Sequence, residues 1–547
     1  MSKEGMQSKR PNILLILNDD MGYSDIGCYG GEIDTPHLDR LAANGLRYSQ
    51  FYNTARCSPS RASLLTGLHP HQTGIGILTY STGPEGYAGN LNKRCVTIAE
   101  VLKQNEYVTY LSGKWHIASS LTEPTDAWPL QRGFDHFYGT IIGAGSFYNP
   151  NTLTRGNDNV ESEAEQDPKF FYTDAISDQA AAFIREHRRN NSNTPFFQYV
   201  AYTAPHWPLH AHEEDIGKYK GRFDKGWDRL REERLSRLVA SGLIHPSWKL
   251  TDRDPTQPPW PEADHREWRL RCMEVYAAQI DRMDQGIGRI LVALEETGQF
   301  ENTVIIFLSD NGGCAEDIPE GVSARELVDE LMIAKATTRT AEPVRFGNYP
   351  SIMPGGEDTY QSYGTAWANL SNSPFRLYKH WVHEGGIATP LIVHWPDGIK
   401  DGGSLRHHPG QLPDIMATVL DIAGAKYPDT YDDNEIAPCE GESLVPSFSA
   451  DSLDRGPLFW EHEGNAAVRV GKWKLVRKYP GPWELYDMEV DRTEMHDLAA
   501  KYPEMVTDMQ EKYELWAQRC GVIPREKILE LMKAQTTTAF WEEDETK

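Results

Sequence analysis

Five short runs of apolar residues stand out along the first four hundred positions: ILLIL (13–17), YVTYL (107–111), FFQYVAY (196–202), TVIIFLS (303–309) and PLIVHW (390–395). They are too continuous for strands that face a core on one side only. Runs of this length predict strands buried on both faces, the habit of a parallel sheet covered by helices. Segments with helical spacing lie between them. DTPHLDRLAANG carries Pro36 early, repeats apolar residues at Leu38, Leu41 and Ala42, and ends at Gly45. The long segment 262–297 stops before Gly298, and LPDIMATVLDIAG (412–424) is closed by Gly424. This alternation predicts an α/β fold: a large three-layer domain with a mostly parallel central sheet, spanning 1–440. Beyond about 440 the texture changes. AAVRVGKWKLVRKY and WELYDM read as antiparallel strands joined by turns, with a helix near 502–518. They predict a small C-terminal α+β domain with an antiparallel sheet over 441–547. The polar end beyond about 535 is expected to fray.

Composition narrows the partners. The 547 residues exceed the usual single core, and 39% of them are apolar. Acidic residues outnumber basic ones, 80 to 55, for a formal charge of -25. Such a surface repels nucleic acid and anionic lipid, so neither nucleic acid nor membrane is an expected partner. An anionic substrate has to be drawn in by a local basic pocket. Seven cysteines without CxxC spacing argue against a disulfide framework or a zinc site. The apolar run Ile13–Leu17 is too short for a signal-peptide core, and no stretch reaches membrane-spanning length. A cytoplasmic location is expected for the sequence as it stands, and a periplasmic or secreted one if a signal has been removed. The charged run 213–237 reads as a solvated helix laced with ion pairs.

Candidate chemistry collects after the strands. Asn18-Asp19-Asp20 follows the first run, Ser112-Gly113-Lys114-Trp115-His116 the second, Thr203-Ala204-Pro205-His206 the third and Asp310-Asn311-Gly312-Gly313 the fourth. Ligands of open α/β sheets bind beyond the carboxyl ends of the strands, so a parallel sheet gathers these groups on one rim. Asp19, Asp20, Asp310 and Asn311 offer oxygen ligands only, which suits a hard cation such as Ca²⁺ or Mg²⁺. Lys114, His116, His206 and Arg61 add positive charge and proton transfer. A divalent cation among such groups describes a site for a tetrahedral oxyanion, sulfate or phosphate. Cys57, in ARCSPSRASLLTG, has the bland reading of a buried thiol.

Cys57-Ser58-Pro59-Ser60-Arg61, followed by Leu65-Thr66-Gly67, resembles the type I sulfatase signature. The N-D-D, G-K-W-H, A-P-H-W-P and S-D-N-G-G motifs and the Lys379 of RLYKHWVHEGG fall in the order seen in bacterial arylsulfatases. The resemblance covers most of the chain and implies the alkaline-phosphatase-like α/β fold with a small C-terminal domain. It implies that Cys57 is a precursor, oxidised by a formylglycine-generating maturation enzyme to Cα-formylglycine, an aldehyde hydrated at rest. A geminal diol can take the sulfuryl group on one oxygen and expel sulfate through the other, which splits covalent catalysis into two accessible steps.

The same resemblance implies the roles. Asp19, Asp20, Asp310 and Asn311 would bind one Ca²⁺, with an oxygen of residue 57 as a further ligand. Arg61 would hold the hydrate, and Lys114 and Lys379 would neutralise sulfate oxygens. His116 would assist elimination of sulfate, and His206 would protonate the leaving alcohol or phenol. The expected activity is hydrolysis of aryl or carbohydrate sulfate esters. Two other functions fit the same residues: a phosphonate monoester hydrolase or phosphodiesterase of the same superfamily, and an unmodified, inactive binder of sulfated ligands. His69, His71, His407 and His408 receive no role, and the other six cysteines read as packing residues. Irregular segments 78–95, 146–170 and 314–372 are expected to shape the pocket, with Tyr80, Tyr87, Phe147, Tyr148, Tyr363 and Trp367 available to stack on a sugar or aryl ring.

Overall fold

The computed structural model describes residues 10–191, 193–451 and 453–534; the expected fraying beyond 535 lies outside them. The five apolar runs are strands Asn12–Asn18, Val108–Gly113, Phe196–Ala201, Thr303–Ser309 and Ala388–His394, all in one 11-stranded sheet. Their continuity has a direct cause. Leu14 and Ile16 point into one core, and Ile13, Leu15 and Leu17 into another on the opposite face. Ile305 and Phe307 divide from Val304, Ile306 and Leu308 in the same way. A strand with a core on each side has no polar position to spend on solvent.

Four of these strands run parallel, in the order Thr303–Ser309, Asn12–Asn18, Phe196–Ala201, Val108–Gly113. Their register aligns the carboxyl ends: Asn18 pairs with Ser309, Leu17 with Ala201, and Ala201 with Gly113. The fifth run departs from expectation. Ala388–His394 is antiparallel to Thr303–Ser309, and its pairing on the other side, with Leu46–Tyr52, shifts register between Thr389 and Leu391 around Pro390. Its other neighbour, Leu46–Tyr52, is a strand that the apolar pattern misses because LRYSQFY contains no unbroken apolar run.

Helices Pro36–Asn44, Arg266–Glu296 and Pro413–Ala423 stand where the spacing predicts them. The charged run behaves differently. Its helix Gly226–Ala240 buries Trp227, Leu230, Arg231, Arg234 and Leu238. Arg234 is fully buried because Asp25 Oδ1 (2.7 Å) and Glu32 Oε1 (2.8 Å) accept from its guanidinium.

The C-terminal part carries an antiparallel sheet of Leu458–His462, Asn465–Val470, Trp473–Arg477 and Trp483–Asp487, followed by helix Pro503–Cys520. Ala466, Val468, Leu475 and Leu485 pack on Met509, Tyr513 and Trp516 of that helix. Trp460, Ala467, Val476 and Tyr486, on the opposite face, join the core of the large sheet. Alternation along these strands therefore docks the small sheet onto the large one, and brings its first hairpin to the rim where the parallel strands end. No helix among the described residues is long and apolar enough to cross a membrane.

Candidate active site

Strand register gathers the candidate groups. Asp310 N–H donates to Asn18 O (3.1 Å), Asp19 N–H to Ala204 O (3.1 Å) and Lys114 N–H to Ala201 O (2.8 Å), so each strand extension is tied to its neighbour. Gly113 is required at its place. Its φ is +119°, and a Cβ there would lie 1.9 Å from Ala201 O.

Asp19, Asp20, Asp310 and Asn311 are fully buried side by side. Asn311 Nδ2 donates to Asp20 Oδ1 (2.7 Å), and Asp20 N–H to Asp310 Oδ1 (3.2 Å). Arg61 bridges Asp310 Oδ2 (3.0 Å) and Asp19 Oδ2 (3.5 Å). Lys114 Nζ donates to Asp19 Oδ2, and Lys379 Nζ to Asp20 Oδ2 (3.0 Å). His206 Nε2 lies 3.4 Å from both Asp20 Oδ2 and Lys379 Nζ, while Nδ1 meets Trp207 O at 2.6 Å. His116 feels the charges of Lys114, Arg61, Asp19 and His206. Cys57 opens the buried helix Cys57–Thr66, four residues before Arg61 and within its electrostatic reach. All ten predicted residues thus converge on one rim.

Electrostatics follow from this crowding. Burial and the adjacent Asp19 push Asp310 up to about 8. Burial would raise Asp19 as well, but Lys114, His206 and Arg61 outweigh it and hold that carboxyl below the ordinary range. Burial, then Lys114 and Arg61, keep His116 neutral. Burial also lowers His206 against the pull of Asp20.

The donor set fits a hard cation. Asp19 Oδ1 and Asn311 Oδ1 are buried oxygens without a hydrogen-bond partner, an arrangement that costs about 1–3 kcal/mol per group. A divalent cation bound by these oxygens would satisfy both and keep all three carboxylates ionised. Asp19, Asp20 and His206 also stand close enough to share one ion.

Several neighbours carry no signal in the sequence. Asp25 shapes the loop that follows Asp20: it accepts from Gly22 N–H (2.9 Å) and Tyr276 OH (2.8 Å), and Tyr276 OH also lies 3.3 Å from Asp20 O. Asp20 holds φ +66°, so this support fixes a conformation that non-glycine residues seldom adopt. Gly143 floors His116, because a Cβ there would lie 2.2 Å from the imidazole. Glu316 accepts from Arg56 Nη1 (2.6 Å) and Trp207 Nε1 (3.1 Å). Of the aromatic residues expected to line the pocket, Tyr87, Phe147, Tyr363 and Trp367 are core residues, whereas Tyr80 and Tyr148 are partly exposed. His71 and Glu461 form a buried pair at 2.7 Å, and His69 packs on Trp516.

The sulfatase family model matches residues 11–425, and the model for the C-terminal region of N-sulphoglucosamine sulphohydrolase matches 375–519. An uncharacterized sulfatase of Schizosaccharomyces pombe is 30% identical over 94% of this chain and 95% of its own. An arylsulfatase of Klebsiella aerogenes is 32% identical over 80% of this chain and 92% of its own. Among solved structures, Ps i-CgsB in complex with a neocarrahexaose superposes with a TM-score of 0.64 at 25% identity, covering 93% of each chain.

Proposed function

The chain belongs to the sulfatase family and is a sulfuric ester hydrolase, and from that premise we propose that it cleaves aryl or carbohydrate sulfates with a formylglycine made from Cys57 and one bound Ca²⁺. One observation carries the reading: buried carboxylates and an amide, with unpartnered oxygens on Asp19 and Asn311, ringed by Arg61, Lys114 and Lys379, beside the helix that Cys57 opens. Asp19, Asp20, Asp310 and Asn311 would hold the cation, with residue 57 as a further ligand. Bound there, it supplies Lewis acidity toward an oxygen of the sulfate group. The matured residue supplies a nucleophilic hydroxyl that a thiol lacks. A formylglycine-generating enzyme is the partner this requires. The catalytic part is residues 1–440, and 441–547 form the small domain.

The chain's own residues do the rest. Lys114 and Lys379 place two ammonium groups beside the carboxylates, where they meet the charge of an incoming sulfate. Arg61 holds Asp19 and Asp310 in place and faces residue 57. His206 keeps Nδ1–H on Trp207 O, which leaves the Nε2 lone pair facing the Lys379 ammonium; a proton taken up at Nε2 would be the one passed to the departing oxygen. His116 stays neutral and can take a proton from residue 57 as sulfate leaves. The test is release of inorganic sulfate from 4-nitrophenyl sulfate, set against the matched aryl phosphonate ester and paired with metal analysis. Preference for the phosphonate, or stoichiometric zinc without an alkaline-earth ion, would refute the corresponding part.

A further inference from the structure

Three residues of the proposed machinery each have a sequence neighbour in a second ring of contacts; of these neighbours Trp207 and His380 are partly exposed and Arg56 is buried. Arg56 precedes Cys57, Trp207 follows His206, and His380 follows Lys379. These neighbours meet in a collar closed by Glu316 and by the hairpin tip His462-Glu463 of the C-terminal sheet. Glu316 joins Arg56 (2.6 Å) to Trp207 (3.1 Å) and lies 3.7 Å from Lys379 Nζ. Arg56 also feels Glu463. Glu463 accepts from His380 Nδ1 (3.1 Å) and pairs with Arg525 (3.0 Å). The side chains of Glu316 and His380 are 24% and 33% exposed, so the collar opens to solvent.

His462 is the informative member. It is 1% exposed, and neither ring nitrogen has a hydrogen-bond partner, although Nε2 is 3.4 Å from Glu463 Oε2. Burial keeps the ring neutral, with one nitrogen donating and the other accepting. His380, His462 and Glu463 have the spacing of a metal-binding trio, but the proton inventory opposes it. Asn465 Oδ1 accepts from Tyr479 N–H (3.1 Å) and Nδ2 donates to His462 O (3.1 Å), which fixes the amide. Nδ2 then faces His380 Nε2 (3.3 Å), so the proton of His380 sits on Nδ1, the nitrogen that a metal would need.

We propose that this collar binds the alcohol half of the substrate and selects a polyhydroxylated one, a sugar sulfate, over a flat aryl or steroid sulfate. The inference rests on the sulfatase reading above. A hydroxyl both donates and accepts, as His462 requires, and carboxylates already engaged by cations keep lone pairs for further hydroxyls. An apolar ring placed there would cover the solvent-exposed edges of Glu316 and His380 and return no hydrogen bond. The partly exposed Trp207 leaves an indole surface for the C–H face of a pyranose.

The test uses full-length protein with conversion of residue 57 verified by mass spectrometry. It measures kcat/KM on a panel of monosaccharide O-sulfates, on estrone sulfate and on 4-nitrophenyl sulfate. At least one sugar sulfate is expected to outrun estrone sulfate. His462→Ala should lower kcat/KM on that sugar by about 30-fold and on estrone sulfate by about threefold, within the range for a lost polar contact. His380→Ala, at a more exposed position, serves if His462→Ala does not fold, with the same skew expected. Estrone sulfate preferred over every sugar, or equal losses on both classes, would overturn the proposal. No sulfate released from any ester, 4-nitrophenyl sulfate included, would overturn the sulfatase reading and this proposal with it.

Discussion

Two buried charge clusters lie in this molecule, and they differ in what they leave unfinished. At the rim of the large sheet, Asp19, Asp20 and Asp310 face Arg61, Lys114 and Lys379. Between the two sheets, Glu384 and Glu494 face Lys474 and Arg492. Both balance their formal charges. In the second cluster every carboxylate oxygen has a cation or an N–H within 2.9 Å: Lys474 on Glu384 Oε1 and Glu494 Oε1, Arg492 on Glu384 Oε2, and the Glu384 N–H on Glu494 Oε2. Tyr52 OH adds a further bond at 3.1 Å, and the Arg492 guanidinium lies 4.6 Å from the ring centre of Phe375. The rim cluster keeps Asp19 Oδ1 and Asn311 Oδ1 without partners. Glu494 Oε1 and Arg492 Nη2 in the second cluster also lack a hydrogen bond, but Lys474 stands 2.7 Å from Glu494 Oε1, so each acid there is neutralised by a cation of the chain itself and the cluster holds two sheets together. The rim differs in that its unpartnered atoms, Asp19 Oδ1 and Asn311 Oδ1, are oxygens of the kind a hard cation takes.

The contrast can be broken by removing one acid from each. Asp310→Ala should abolish sulfate release, more than about 10³-fold, and remove the bound cation, with folding retained by circular dichroism. Elemental analysis of the purified variant checks it, and retained stoichiometric metal would place the ion elsewhere. Glu384→Gln should leave the metal in place and cost stability instead, about 3–5 kcal/mol, because Lys474 and Arg492 lose their buried partner. Denaturant titration reads this directly. Its acid dependence has a definite sign. Burial would raise Glu384, but Lys474 and Arg492 hold it down to about 2 from the ordinary 4.5. The stabilisation is therefore fully present above pH 4.5 and fades as pH falls through 2. In Glu384→Gln that loss between pH 4.5 and 2 should disappear.

Within the rim cluster, the roles separate by leaving group. His206→Ala should slow hydrolysis of an alkyl or sugar sulfate by about 10²–10⁴-fold and that of 4-nitrophenyl sulfate far less, because a nitrophenolate departs without a proton. Lys114→Ala should slow both by similar factors. Equal losses on both substrates for His206→Ala would remove it from the acid role. The smallest effect belongs to Gly143→Ala. The added methyl must displace the His116 ring, and about a tenfold fall in kcat, with no change in bound metal, is expected.

The comparison also marks what the chain discloses before it folds. Strands with a core on each face announce themselves as unbroken apolar runs, and residues just past them inherit the rim; Asp19, Lys114, His206 and Asp310 are legible for that reason. Leu46–Tyr52 is not, since Arg47, Ser49 and Gln50 interrupt it. Nor does an apolar run disclose direction, and Ala388–His394 turns out antiparallel. Charge counting misleads at Arg234, which a solvated helix would expose and which instead anchors Asp25 beneath the loop that follows Asp20. Glu316 and His462 acquire their neighbours only when loops and the C-terminal hairpin close over the rim, at separations that no local pattern records.

The central claim concerns residue 57, and one measurement addresses it most directly: mass spectrometry of the peptide spanning Cys57, taken on the same preparation in which sulfate release is counted. Conversion to formylglycine exchanges the thiol sulfur for a carbonyl oxygen and removes two hydrogens, a loss of about 18 Da. Turnover per mole of protein should rise in proportion to the converted fraction and vanish in Cys57→Ala. Full turnover from protein that carries only the unmodified thiol would contradict the account.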